Sequence, residues 1–230
     1  MDQSLREAAT RKVLNAIKLF FTESDVWELR IPKAGKAGTV SGYFNDPEAF
    51  ARAAASYSGK VPGVYFTINP VRPDLLARAN NRVIERASHT TSDANILCRR
   101  WFPIDIDPVR PAGISSSDAE HELVLERARA IREQLRQRGW SAPILASSGN
   151  GAHLLYRIDM PNDHRCQELV RKVLEALDSH FSDDRASIDK SVYNAARIWK
   201  TYGTMSCKGE NLPERPHRQA RILGGPGYGI

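Results

Sequence analysis

The segment PILASSGNGAHLLYRI, residues 143–158, decides the fold. Pro143–Ala146 and His153–Ile158 are apolar runs of strand length on either side of Ser147-Ser148-Gly149-Asn150-Gly151. An Asn-Gly step in a short glycine-containing loop between two such runs reads as a hairpin, so at least this pairing is antiparallel. Upstream, Ser117-Asp118-Ala119-Glu120 has the spacing of a capping box. It opens a helix with Val124, Ala128, Ile131 and Leu135 on one face, closed by Gly139. Arg100 to Asp107 reads as a strand. Downstream, a helix is expected from about Asp163 to Phe181 with Leu169, Val173 and Leu177 inward, then short strands at Ile188-Asp189 and Ile198–Lys200.

Nearer the N-terminus, residues 4–21 have a helical period through Leu5, Ala9, Val13, Ile17 and Phe20. Val26–Ile31 alternates like a strand, a short strand follows at Tyr43-Phe44, Pro47–Tyr57 reads as a helix and Gly63–Ile68 as a strand. Residues 69–99 are polar and weakly patterned. Together these elements predict an α+β fold: a mixed or antiparallel sheet with flanking helices. Residues 1–230 read as a single domain, with an N-terminal αβ subdomain at 1–95 and the main sheet at 96–223. The tail at 224–230, GGPGYGI, reads as flexible and as the start of a linker.

The 230 residues carry 26% charged and 41% apolar side chains, near the globular average. No apolar run is long enough to span a bilayer, so no membrane partner is expected. The first residues, MDQSLREAATRKVL, contain no apolar core of a secretory signal. Three separated cysteines (Cys98, Cys166, Cys207) without a CxxC pair read as reduced thiols in a cytoplasmic protein. Cys207 and His217 lack two further ligands, so no structural zinc is expected. The net charge is +6, and the tract Lys190–Arg221 alone has seven Lys/Arg against two acids. A solvated basic face and a phosphate-binding surface both account for that tract.

Three constellations carry chemistry. In Pro103-Ile104-Asp105-Ile106-Asp107-Pro108, residues two apart in a strand share a face, so Asp105 and Asp107 project together. Paired carboxylates repel unless a cation lies between them, and hard divalent ions suit them. Ser147–His153 offers backbone N–H groups, a hydroxyl and an imidazole to an anion. It lacks the Lys-Ser/Thr end of a P-loop. Asp189 follows an apolar residue at a strand end, and Arg197 and Lys200 follow within the basic tract. Each alone also has a plain reading: solvated acids at a strand end, an ordinary turn, a helix cap with two solvated cations.

As an ordered set, DxD, then SGxGxH, then an isolated Asp, the sequence resembles the archaeo-eukaryotic primase superfamily, the primase-polymerases. VYFTINPV (64–71) and NAARIWKTYGT (194–204) also resemble its phage- and plasmid-encoded replication primases. The resemblance implies an RNA-recognition-motif-like catalytic core packed with the N-terminal subdomain. Asp105, Asp107 and Asp189 would be catalytic and hold two Mg²⁺ or Mn²⁺ ions. Ser148, Gly149, His153, Arg197, Lys200 and Asn69 would bind the nucleotide, and Lys208, Arg215, Arg218 and Arg221 the nucleic acid. The implied activity is template-dependent DNA primase-polymerase nucleotidyl transfer in replication of a phage, plasmid or other mobile element. The implied partners are single-stranded or primed DNA, dNTP or NTP, and a replicative helicase domain in cis or in trans. Two alternatives stand beside it: a single-stranded nucleic-acid-binding module without catalysis, and a repair or gap-filling polymerase of the same superfamily. A relaxase is disfavoured, because no HxH pair occurs.

Overall fold

A computed structural model describes residues 3–227. In chain order, α1 (Gln3–Ile17) leads to β1 (Trp27–Ile31), β2 (Val40–Phe44), α2 (Pro47–Tyr57), β3 (Tyr65–Thr67), β4 (Arg82–Ile84) and β5 (Cys98–Pro108). Then come α3 (Asp118–Gln137), β6 (Ile144–Ser147), β7 (Ala152–Pro161), α4 (His164–Phe181), β8 (Ala186–Ile188), β9 (Ile198–Lys200), β10 (Met205–Ser206), β11 (Arg218–Gln219) and β12 (Arg221–Gly224). Two five-stranded sheets result, in the orders β4-β2-β1-β3-β9 and β12-β6-β7-β5-β8, with β10-β11 as a small ribbon. The predicted α+β architecture holds, and every pairing between these strands is antiparallel.

The second sheet is built around the predicted hairpin. β6 and β7 pair as Ala146↔His153 and Ser147↔Ala152, and β7 pairs with β5 as Asp105↔His153 and Ile104↔Leu154. Alternation along β5 sends Phe102, Ile104 and Ile106 toward α3 and α4 and leaves Trp101, Asp105 and Asp107 on the opposite face. α3 starts at the predicted capping box: the Ser117 hydroxyl accepts from Glu120 N at 3.2 Å, and Ser117 N donates to the Glu120 carboxylate at 2.8 Å. Its buried stripe is the predicted Val124, Ala128, Ile131 and Leu135, joined by Leu125. The Val, Leu and Ile side chains of that stripe each contribute roughly 1.5–3 kcal/mol on burial.

α4 corrects one expectation. Its inner face is Cys166, Val170, Leu174 and Leu177, whereas Leu169 is 49% exposed. The stripe is rotated by one residue, about 100° around the helix. That rotation puts Cys166, a small apolar side chain, in the core.

The first sheet differs more from its sequence pattern. Trp27, Leu29 and Ile31 face inward as alternation predicts, yet Glu28 is also fully buried. The segment between β3 and β5 covers that side of the sheet. There the Glu28 carboxylate accepts from Thr91 N at 3.0 Å and Ser41 Oγ at 2.6 Å, and pairs with Arg30. The same cover encloses a second apolar cluster of Val26, Tyr43, Val71, Leu75, Ala79 and Ile96.

Phe20, just past α1, joins the two sheets. It packs on Phe66 of β3 at 5.2 Å and on Trp101 of β5 at 5.3 Å. β9 also ties the halves together: it comes from beyond residue 95, yet pairs with β3 at the edge of the first sheet. Gly224, the first residue of the expected flexible tail, is still paired with Leu145. Residues 228–230 of that tail lie outside the described residues.

Candidate active site

Between the sheets lies a cleft of about 480 Å³. Its walls bring together residues from distant parts of the chain: Asp105, Asp107, Ser148, His153, Asp189, Arg197, Lys200 and Lys208. The register explains why. His153 is the cross-strand partner of Asp105. On the other side of β5, Ile106 pairs with Ile188 and Asp107 with Ser187. Extending that register places Asp189 beside Asp105, where its backbone N–H donates to the Asp105 carbonyl at 2.9 Å. Side chains level with one another in adjacent strands share a face.

The three carboxylates have different surroundings. Asp105 lies 3.4 Å from His153 Nε2. Asp107, 3.6 Å from the Arg110 guanidinium, is held above the usual carboxylate range by desolvation and then by the charge of Asp105. Asp189 uses one oxygen to accept from Ser191 N at 2.8 Å, which caps the turn after β8. Among the described residues, no three His, Cys, Asp or Glu side chains form a ready-made metal cage. The acids form an open carboxylate face instead. Its donors are hard oxygens, and the Asp105–Asp107 repulsion is the kind a divalent cation relieves, so the residues fit Mg²⁺ or Mn²⁺.

The turn after β6 supplies anion donors. Ser148 Oγ accepts from Gly151 N at 2.8 Å, which leaves its own proton for a ligand. Gly151 lies so close to β5 that a Cβ would sit 2.6 Å from the Ile106 carbonyl and 2.8 Å from Asp107 Oδ1. Glycine here lets the turn reach the carboxylate.

The cationic wall comes from β9 and the chain beyond it. Lys200 is buried, its ammonium donating to the Met205 carbonyl at 3.0 Å and lying 5.2 Å from the Tyr65 ring centre. Desolvation, followed by repulsion from Lys208, pulls its pKa down to about 7. Arg197 bonds the Ser191 carbonyl through Nη2, while its Nε is buried without a partner among the described residues. A buried orphan donor costs stability unless a ligand satisfies it. Tyr65 completes this wall; its hydroxyl is held high by burial and by Asp105 and Asp107.

Several of the expected site residues lie outside the cleft lining. Asn69 is buried away from the cleft, donating to the Ala195 carbonyl at 3.0 Å and accepting from Arg100 N and Trp101 N at 2.8 and 3.2 Å. Its amide joins the two halves. Gly149, with φ +93°, faces the β10-β11 ribbon, where a Cβ would meet Ser206 at 2.7 Å. Arg215 grips Glu120 through two bonds at 2.8 and 3.0 Å, and Arg218 holds Asp118 at 2.6 Å. Both guanidinium groups clamp the start of α3. Arg221 lines a separate hollow with Lys12 and Gln219. Of the four residues expected to contact nucleic acid, Lys208 alone lines the cleft. Sequence reading missed Tyr65, Lys33, Asn150 and Ser206 as lining residues. Asn150 and Tyr65 stood inside quoted motifs; Lys33 and Ser206 carried no signal.

The α+β fold with its two antiparallel sheets is shared with a solved primase structure. Among solved structures, the chain is similar to the primase RepB', with a TM-score of 0.50 and 9% identity over 96% of this chain and 57% of that one. It spans just over half the length of that protein. The polymerase domain of Mycobacterium tuberculosis Ligase D, solved in complex with DNA, aligns with a TM-score of 0.49 and 15% identity, over 94% of this chain and 79% of that one. No family model matches the sequence, and no curated protein matches it. Among the described residues, no helix is long and apolar enough to cross a membrane.

Proposed function

We propose that the chain is a template-dependent nucleotidyltransferase of the primase-polymerase type, joining nucleotides to a 3′-hydroxyl on a DNA template. One observation carries this reading. Three carboxylates and the donors Ser148, His153, Arg197, Lys200 and Lys208 share a single cleft, although the sequence scatters them from residue 105 to 208. Asp105, Asp107 and Asp189 would hold Mg²⁺ or Mn²⁺. Such ions, when bound, supply activation of the attacking hydroxyl and neutralise the leaving pyrophosphate.

The protein's own groups bind and orient the triphosphate. The Ser148 hydroxyl and the His153 ring donate to phosphate oxygens, and the orphan Arg197 Nε gains an acceptor. Lys200 takes up a proton as the anion enters, because a neighbouring negative charge favours the ammonium. Lys208, on the cleft wall, would meet the strand backbone. The finer reading, replication of a mobile element with a helicase partner and either dNTP or NTP as substrate, rests on the sequence resemblance.

The test is extension of a primed strand, and synthesis on unprimed single-stranded DNA, with Mg²⁺ or Mn²⁺. The double variant Asp105→Ala/Asp107→Ala is expected to lose all synthesis while keeping its circular dichroism spectrum. Synthesis surviving that change refutes the metal role. Binding of single-stranded DNA without binding of Mn²⁺ or nucleotide would favour the non-catalytic binding module.

A further inference from the structure

Beside His153, and including Trp199 of the cleft wall, lies a buried chain of polar groups. Trp199 Nε1–H donates to the Tyr202 hydroxyl at 2.9 Å, and that hydroxyl lies 2.9 Å from His153 Nδ1. Tyr202 is 2% exposed and His153 3%. The indole of Trp199 also packs on the imidazole, with ring centres 4.2 Å apart. On the cleft side, His153 Nε2 is 3.4 Å from Asp105, too long for a good hydrogen bond.

Proton counting fixes the arrangement. Indole nitrogen only donates, so Tyr202 Oη accepts from Trp199. Burial holds the phenol far above its ordinary titration range, so it keeps its single proton. No third partner to that oxygen exists among the described residues. If His153 carried its proton on Nδ1, it would donate to Tyr202, and the buried phenolic proton would have no acceptor. If Nδ1 is bare, every group is satisfied: Trp199 donates to Tyr202, and Tyr202 donates to His153.

We propose that Trp199 and Tyr202 are positioning residues that hold His153 as the Nε2–H tautomer, so that the ring presents a donor to a phosphate oxygen in the cleft. The phosphate part rests on the nucleotidyltransferase reading; the tautomer does not. The relay also assigns a task to Trp199 and Tyr202 within NAARIWKTYGT.

Long-range ¹H–¹⁵N spectra of ¹⁵N-histidine-labelled protein read the tautomer directly, with His153 assigned by its loss in His153→Gln. The wild type is expected to show Nε2–H. Asp105→Ala is expected to keep it, because Tyr202 still donates to Nδ1, whereas Asp105→Ala/Tyr202→Phe shifts to a mixture with Nδ1–H. An Nδ1–H signature in the wild type overturns the proposal, as does a double variant indistinguishable from the single one. Should the double variant fail to fold, the wild-type spectrum decides by itself. Tyr202→Phe alone is expected to raise the nucleotide KM about tenfold, with kcat less affected. A protein with His153 in the Nε2–H form and no nucleotide binding would refute the enzymatic reading and leave the tautomer assignment standing.

Discussion

Lys200→Met separates the stability of the cleft from its function. The side chain keeps its length and loses its charge. In the wild type the ammonium is buried beside the Met205 carbonyl and the Tyr65 ring, and its pKa falls from 10.5 to about 7. The unfolded chain therefore binds more protons than the folded one between pH 7 and 10.5, and this residue makes stability rise with pH across that window. Below pH 7 both states are charged, and the full penalty of about 5 kcal/mol stands. Moving from pH 7 to pH 9 relieves about 2 kcal/mol of it. Lys200→Met has no such penalty, and groups common to both proteins cancel in the difference. The variant is expected to be the more stable protein at pH 7, with its advantage shrinking by about 2 kcal/mol at pH 9. Urea unfolding at several pH values measures this. A difference that stays constant, or widens with pH, refutes a discharged lysine. The same variant is expected to bind nucleoside triphosphate more weakly, since it has no ammonium to offer the phosphate.

Two further outcomes test particular contacts. Gly151→Ala drives a methyl group against the Ile106 carbonyl and the Asp107 carboxylate. Its expected cost is about 1–3 kcal/mol of stability, and a displaced carboxylate lowers primer extension by about a hundredfold, with single-stranded DNA binding retained. Lys208→Ala is expected to reduce the salt dependence of DNA binding by about one counterion. Arg215→Ala instead leaves that slope unchanged and lowers Tm, because its guanidinium holds Glu120.

Local rules made part of this molecule readable. The capping box at Ser117, the hairpin around Gly149 and the same-face pair Asp105/Asp107 follow from spacing alone, and all three stand in the structure. The α4 face was misread because Leu169, Val170, Val173 and Leu174 give two apolar stripes of similar strength, and only the sheet beneath selects one. The burial of Glu28 is not legible in its strand, because alternation carries no information about a second layer; its partner Thr91 lies in a stretch with no periodicity. The basic tract misled for a related reason. Charge is visible in a sequence, but the pairing of Arg215 with Glu120 and Arg218 with Asp118 spans the long connection from α3 to β11. The contacts that assemble the cleft are likewise non-local, and Asn69 shows the cost of reading one polar residue without its neighbours.

The late strand β9 has a consequence for how the molecule comes into being. It covers the edge of β3 and carries Lys200, yet it is made long after its partner. On the ribosome, β3 waits with unpaired N–H and C=O groups, while the acids of β5 emerge with no cationic wall opposite them. Pairing so far apart along the chain is slow to form, and a waiting edge invites neighbouring chains. Nascent fragments ending before Ile198 therefore carry the carboxylates without the cationic wall, and they leave the β3 edge open.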